Sequence, residues 1–275
     1  MKKIALAAAA VSILLTGAAS AADMAVKARP APPPVAVYNW TGFYVGGHVG
    51  GAWADSDSDF VPLFNNAPNI AAWNRSPEAY GLNSSGILGG VHAGYNWQAS
   101  PNFLIGIEGD WSWTDNNASQ SINTRTAAGV PFAPPSPAVM SRNTDWLASI
   151  RGRLGVLVTP NLLLYGTGGA AFAHTNFAAT LSSVPPGTVW AVNFDDTRVG
   201  WVAGGGAEWA VTSNWLLRAE YLYYRLPGAS ADATGNPNNF PGFTIRYNWS
   251  DFDVQVARVG LSYKFGGPAA VVAKY

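Results

Sequence analysis

From Asn39 onward the chain is a succession of segments in which apolar residues alternate with small or polar ones. Segment 103–115 is the clearest. Phe103, Ile105, Ile107, Gly109, Trp111 and Trp113 fall on one face, and Leu104, Gly106, Glu108, Asp110, Ser112 and Thr114 on the other. A period of two is the signature of a β-strand. The same texture predicts strands over 40–53, 85–98, 103–115, 144–158, 162–177, 197–210, 215–226 and 252–265. In 144–158, Trp146, Ala148, Ile150, Leu154 and Val156 oppose Ser149, Arg151 and Arg153. In 197–210, Val199, Trp201, Ala203 and Trp209 oppose Arg198 and Glu208, and in 215–226, Leu217, Ala219, Tyr221 and Tyr223 oppose Arg218 and Glu220. The last strand sets Val259, Leu261, Tyr263 and Phe265 against Arg258, Ser262 and Lys264. Segment 162–177 is ambiguous in parity, and Val254 and Val256 break the pattern of the last strand.

The gaps between strands fall into two kinds. Ser100-Pro101-Asn102, Thr159-Pro160-Asn161 and Thr212-Ser213-Asn214 are tight turns built from turn-forming residues. The other four gaps run about 19 to 30 residues and are rich in Asn, Ser, Pro, Ala and Gly, lengths uncommon in a compact soluble domain. Short turns at one end and long loops at the other are the pattern of outer-membrane barrels. The expected fold is therefore all-β: an eight-stranded antiparallel transmembrane β-barrel with four long extracellular loops and both chain ends on the periplasmic side. A further weak strand within 55–84 or 116–143 stays open.

The N-terminus supports export. Lys2 and Lys3 precede an apolar run from Ile4 to Gly17 and an A-x-A site at Ala19-Ser20-Ala21, so residues 1–21 read as a signal peptide. Residues 22–38 form a Pro-rich periplasmic linker, 39–265 the barrel, and 266–275 a short periplasmic tail. The chain has no cysteine, which excludes a lipid-modified cysteine, disulfides and thiolate metal sites. Without Lys2 and Lys3, 14 basic residues face 16 acidic ones. That balance lacks the basic stripe of a nucleic-acid-binding protein.

If the apolar faces meet lipid, the polar faces share the interior. They hold Glu108, Asp110, Glu208 and Glu220 with Arg151, Arg153, Arg198, Arg218 and Arg258, an expected interior charge network. An eight-stranded barrel is just wide enough for side chains to fill, so a salt-bridged plug is the economical reading and a charge-lined ion path the alternative. The lipid-facing aromatics Phe103, Trp111, Trp113, Trp146, Trp201, Trp209, Tyr221 and Tyr223 suit the membrane interfaces; Phe103 and Trp111 are about 27 Å apart along a strand, or ~20 Å in height at a ~40° tilt. Glycines such as Gly46, Gly90, Gly169 and Gly204 would relieve crowding inside a narrow barrel.

The stretch Tyr38-Asn39-Trp40-Thr41-Gly42-Phe43-Tyr44-Val45-Gly46-Gly47 after a Pro-rich segment, Thr167-Gly168-Gly169-Ala170, and the closing Val259-to-Phe265 run resemble the small outer-membrane immunogenic proteins of alphaproteobacteria. These are porin-family proteins related to the barrel of outer-membrane protein A. The resemblance covers nearly the whole mature chain and implies a barrel in the outer membrane of a Gram-negative bacterium. It also marks Arg258, Gly260, Tyr263 and Phe265 as resembling the signal read by the outer-membrane assembly machinery, although ten residues follow Phe265 here. The large peptidoglycan-binding domain of outer-membrane protein A has no counterpart in this sequence.

Candidate chemistry is sparse. His48 and His92 fall on inward faces of strands expected to pair; some relatives are described as haem-binding, which makes axial ligation the chemical alternative to simple interior hydrogen bonding, and no cofactor is otherwise expected. Ser149 and Ser262 face inward, but no motif places either beside a histidine. His174 is the only candidate base at the rim, so the chain is expected not to be an enzyme. Asp55, Asp57 and Asp59 have the spacing of a calcium loop without its glycine and terminal glutamate, which favours a solvated loop and no metal. The expected role is structural and interfacial: a barrel in contact with outer-membrane lipid and lipopolysaccharide, inserted by the assembly machinery, presenting loops as a surface antigen to host or environment. A narrow porin and a haem-binding surface protein are the alternatives; a soluble lipocalin-like carrier would need the opposite parity.

Overall fold

The computed structural model describes residues 38–65, 67–68, 80–124, 130, 135–182, 187–235 and 241–266. The expected signal peptide, the Pro-rich linker up to residue 37 and the tail beyond 266 lie outside the described residues. Eight strands form a closed antiparallel ring: β1 (Gly42–Asp55), β5 (Ser84–Ser100), β6 (Phe103–Asn123), β7 (Pro137–Thr159), β8 (Leu162–Ser182), β9 (Val189–Ala210), β10 (Trp215–Leu226) and β13 (Phe252–Lys264). Each of the first seven pairs with its neighbour in this list, and β13 closes the ring on β1 through a ladder from Tyr44↔Lys264 to Asp55↔Asp253. Closure matters because a spanning sheet in lipid must leave no edge unpaired.

The outer face carries two aromatic levels. Phe43, Trp97, Phe103, Trp209, Trp215 and Tyr263 lie near the tight turns, and Trp53, Trp111, Trp113, Trp146, Trp201 and Tyr223 lie further up. On β1 the two levels are ten residues apart, about 26 Å of height at a ~40° tilt, close to the ~25 Å apolar band of such barrels. Between them the outward positions are mostly Gly, Ala, Val, Ile and Leu, with Tyr221 among them; Val49, Ile107, Ile150, Leu154, Leu217 and Val259 are all exposed on the isolated chain. Every interface aromatic expected from the sequence points outward; Trp146 is half-buried because it stacks between Trp111 (4.2 Å) and His174 (5.8 Å).

Above this band the expected loops are largely strand. β7 and β9 run 23 and 22 residues, about twice what spanning needs. The segments between ring strands fold into a second sheet from β2 (Asp57–Phe64), β3 (Ala67–Pro68), β4 (Tyr80–Gly81), β11 (Ala229–Thr234) and β12 (Phe243–Trp249), in the order β11-β12-β2-β3 with β4 on β2. Outside the membrane the outer face meets water, so the sign of the alternation inverts. Phe177, Ala179 and Leu181 of β8 turn inward while Asn176 and Thr180 turn outward. This resolves the two ambiguous segments. On β8 the inward set is Leu163, Tyr165, Ala171, Ala173 and Phe177, and Val254 and Val256 are simply inward residues of the upper storey.

The interior therefore has three storeys. An apolar floor joins Trp40, Leu104, Leu163, Tyr165, Ala210 and Leu216. Trp40 is held there by its Nε1, which donates to the Pro160 carbonyl at 3.1 Å, and by its backbone N–H, which donates to Gln98 Oε1 at 3.1 Å. A charged layer follows, and above it an apolar roof built from Leu147, Phe177, Trp190, Leu222, Tyr224, Phe243, Tyr247, Trp249 and Phe252.

Candidate functional site

The charged middle storey is the chemically distinctive part of the described residues. Alternation on β6 turns Glu108 and Asp110 inward, β7 contributes Arg151 and Arg153, β9 Glu208, β10 Arg218 and Glu220, and β13 Arg258. All eight are buried. Glu108 is the hub. Its Oε1 lies 2.6 Å from Arg151 and 3.0 Å from Arg218, and its Oε2 lies 2.7 Å from Arg218 and 3.3 Å from Arg153. Tyr44 donates to the same Oε2 at 2.6 Å and accepts from Arg153 Nη1 at 2.6 Å.

The remaining carboxylates close the layer. Glu208 receives Arg153 at 2.7 Å and Arg218 at 3.2 Å. Glu220 receives Arg151 at 3.0 Å, Arg258 Nε at 2.8 Å and the Tyr165 hydroxyl at 3.0 Å. Asp110 receives Arg258 at 3.0 Å, Arg151 at 3.1 Å and the Ser149 hydroxyl. Four carboxylates meet four guanidiniums, so the layer is neutral as a whole. Burying unpaired ions costs several kcal/mol each, and this network offsets it through charge-assisted contacts. Inward glycines make the room: a Cβ on Gly46 would sit 2.5 Å from His92 Nε2, and one on Gly90 2.9 Å from His48 Nε2.

Arg198 is a correction. It has the inward parity expected, but lies above the charged layer, where its guanidinium pairs with Asp196 at 3.3 Å and covers the Phe177 ring. It shares no contact with the eight, because β9 extends past the membrane and Arg198 is ten residues up from Glu208. Tyr44 and Tyr165 were missed. The parity of Tyr44 with His48 was a usable signal; Tyr165 sits in the strand whose faces read alike.

His48 and His92 do meet, with their Nδ1 atoms 3.2 Å apart. His48 Nε2 lies 2.8 Å from Ser112 Oγ and 3.2 Å from Arg258 Nη1, and His92 Nε2 lies 2.7 Å from Ser262 Oγ. All four ring nitrogens are engaged, and both rings are buried. This donor set does not fit an axial haem ligand, which needs an imidazole nitrogen free to face the iron. Ser262 thus lies beside a histidine and is fully buried. His174 points outward, against Trp146 and 3.9 Å from Asp195. Asp55, Asp57 and Asp59 alternate along the outer face of β1 and β2, with Asp59 accepting from Asn248 at 3.3 Å. Among the expected assembly-signal residues, Arg258 is bound into the network, Gly260 leaves space beside Arg218, and Tyr263 and Phe265 face outward.

A closed ring with an apolar, aromatic-belted exterior and a charged, filled interior defines an outer-membrane β-barrel protein. The outer membrane protein beta-barrel domain family model matches residues 8–265, and the chain belongs to that family. It is similar to the 31 kDa outer-membrane immunogenic protein of Brucella melitensis, 31% identical over 271 residues, covering 96% of this chain and 100% of that protein. It is also similar to the 25 kDa outer-membrane immunogenic protein of Brucella abortus, 28% identical over 251 residues, covering 90% and 91% respectively. Among solved structures, the outer membrane protein OprG of Pseudomonas aeruginosa matches with TM-score 0.46 and 12% identity over 83% of this chain and 98% of that one. The outer membrane protease OmpT of Escherichia coli matches with TM-score 0.45 and 10% identity over 82% and 97%. The protein resides in the outer membrane, its ring in contact with membrane lipid.

Proposed function

We propose that this protein is a non-catalytic, non-conducting barrel that reinforces the outer membrane and displays its extracellular sheet to the host or environment. The observation that carries this reading is the buried, ion-paired charged layer that lies in the lumen between an apolar floor and an apolar roof. The apolar band lies against lipid and lipopolysaccharide, and the exposed pair Asp232–Arg246 (2.7 and 2.8 Å) belongs to the displayed sheet. The names of the Brucella relatives, outer-membrane immunogenic proteins, agree with a surface-displayed antigen. Arg258, Gly260, Tyr263 and Phe265 would be read by the assembly machinery before the ring closes.

The test is a strain lacking the protein. Greater sensitivity to detergents and large antibiotics, restored by the wild-type gene, is expected. Unchanged envelope resistance together with slower uptake of small solutes would replace this reading with the narrow porin.

A further inference from the structure

Above the membrane the chain divides into two facing halves. One is a wall formed by the upper parts of β6 to β9, continuous with the ring; the β8–β9 register runs unbroken from Leu162↔Trp209 to Ser182↔Val189. The other is the β11-β12-β2-β3 sheet, and no ladder joins it to the wall among the described residues. That sheet connects to the ring at four points on one level among the described residues: Ser56 between β1 and β2, Leu82-Asn83 between β4 and β5, Pro227-Gly228 between β10 and β11, and Ser250-Asp251 between β12 and β13. At the same level the ladders of β6 and β7 are interrupted, between Trp113 and Asn116 and between Thr144 and Trp146.

Between the halves lies an aromatic interface. Trp249 packs on Phe177 and Phe194 at 5.3 and 5.8 Å, and Phe243 on Trp190 at 5.7 Å. Across it the Tyr247 hydroxyl donates to the Trp190 carbonyl at 2.9 Å, and Trp190 Nε1 donates to the Phe243 carbonyl at 3.4 Å. At the hinge level sits Arg142 of the wall, buried, donating to the hydroxyls of Ser56 and Ser84 and lying 4.5 Å above the Phe252 ring. No carboxylate lies within ion-pair distance of it among the described residues, and the charge of Asp55 acts on it only from further away. A buried guanidinium held by neutral groups weakens the closed arrangement, because opening returns it to water.

We propose that the β11-β12-β2-β3 sheet, with β4 on β2, is a lid, hinged at Ser56, Leu82-Asn83, Pro227-Gly228 and Ser250-Asp251, that opens as a unit and uncovers the aromatic cleft while the ring stays closed. Units that open below the global unfolding limit are recognised by joint amide exchange. The test is hydrogen exchange read by mass spectrometry on the full protein folded in detergent micelles. In the wild type, segments 57–64, 229–234 and 243–249 should exchange together and well ahead of 42–55 and 252–264. Tyr247→Phe, which removes the latch without changing volume, should speed lid exchange roughly 5- to 10-fold. Arg142→Met should slow it several-fold, and neither variant should change the ring. Lid segments exchanging at the ring's rate, or a lid rate unmoved by Tyr247→Phe, would overturn the proposal.

Discussion

Glu108 and Arg218 meet across the full width of the lumen, with the two carboxylate oxygens 3.0 and 2.7 Å from the two Nη atoms. They stand on β6 and β10, which are four strands apart in either direction around the ring. A bidentate pair between opposite walls is a crossbar. It fixes the cross-section and occupies the axis that a conducting path would follow. Every other arginine of the layer also bonds a carboxylate on a strand not adjacent to its own, so the layer ties non-adjacent strands together across the lumen.

Removing the hub should be expensive. Glu108→Ala leaves three guanidiniums, two on β7 and one on β10, without their shared carboxylate, and breaking a buried network this way costs about 3–5 kcal/mol. Denaturant titration of the folded, heat-modifiable form in detergent should show a correspondingly lower midpoint.

Arg198 supplies the contrast. Its partner Asp196 is largely exposed, and exposed pairs contribute about 1 kcal/mol or less. Arg198→Ala should leave the same midpoint almost unmoved, and a loss equal to that of Glu108→Ala would return Arg198 to the network.

The lipid face has its own test. Val259 lies outward in the middle of the band, 54% exposed on the isolated chain. Val259→Arg should destabilise the barrel by about 2–4 kcal/mol in bilayers, whereas Asn248→Arg, on the outer face of the extracellular sheet, should be nearly neutral. Equal effects would mean that the apolar band is wrongly placed.

In the extracellular sheet, the hydrogen bond from Arg246 holds the Asp232 carboxyl below the usual carboxylate range. A depressed acid adds stability above its unfolded pKa and loses it as pH falls through the folded value. Arg246→Ala should therefore raise the Asp232 titration midpoint, measurable by NMR of the labelled carboxyl. Solvent screening at this exposed pair keeps the effect local.

Period-two alternation made the ring legible because lipid and lumen impose opposite preferences on successive residues. Glu108, Arg151 and Arg218 were readable for that reason. Alternation could not reveal where the membrane ends. Val254, Val256 and Phe177 obey the same parity as Arg258, yet they look anomalous because the outside changes from lipid to water above them. Arg198 was misplaced by the same blindness to height. The second sheet was legible only as an open strand within 55–84, for another reason: strands such as Phe243–Trp249 are short, and they pack on Trp190 and Phe177, contacts remote in sequence.

The most direct measurement of the braced, closed lumen is planar-bilayer recording of the purified wild-type protein. A quiet baseline is predicted, with no reproducible unitary steps. Stable steps whose size or ion selectivity shifts in Glu108→Ala or Arg218→Ala would contradict it, because they would put ions through the layer that the crossbar is held to fill.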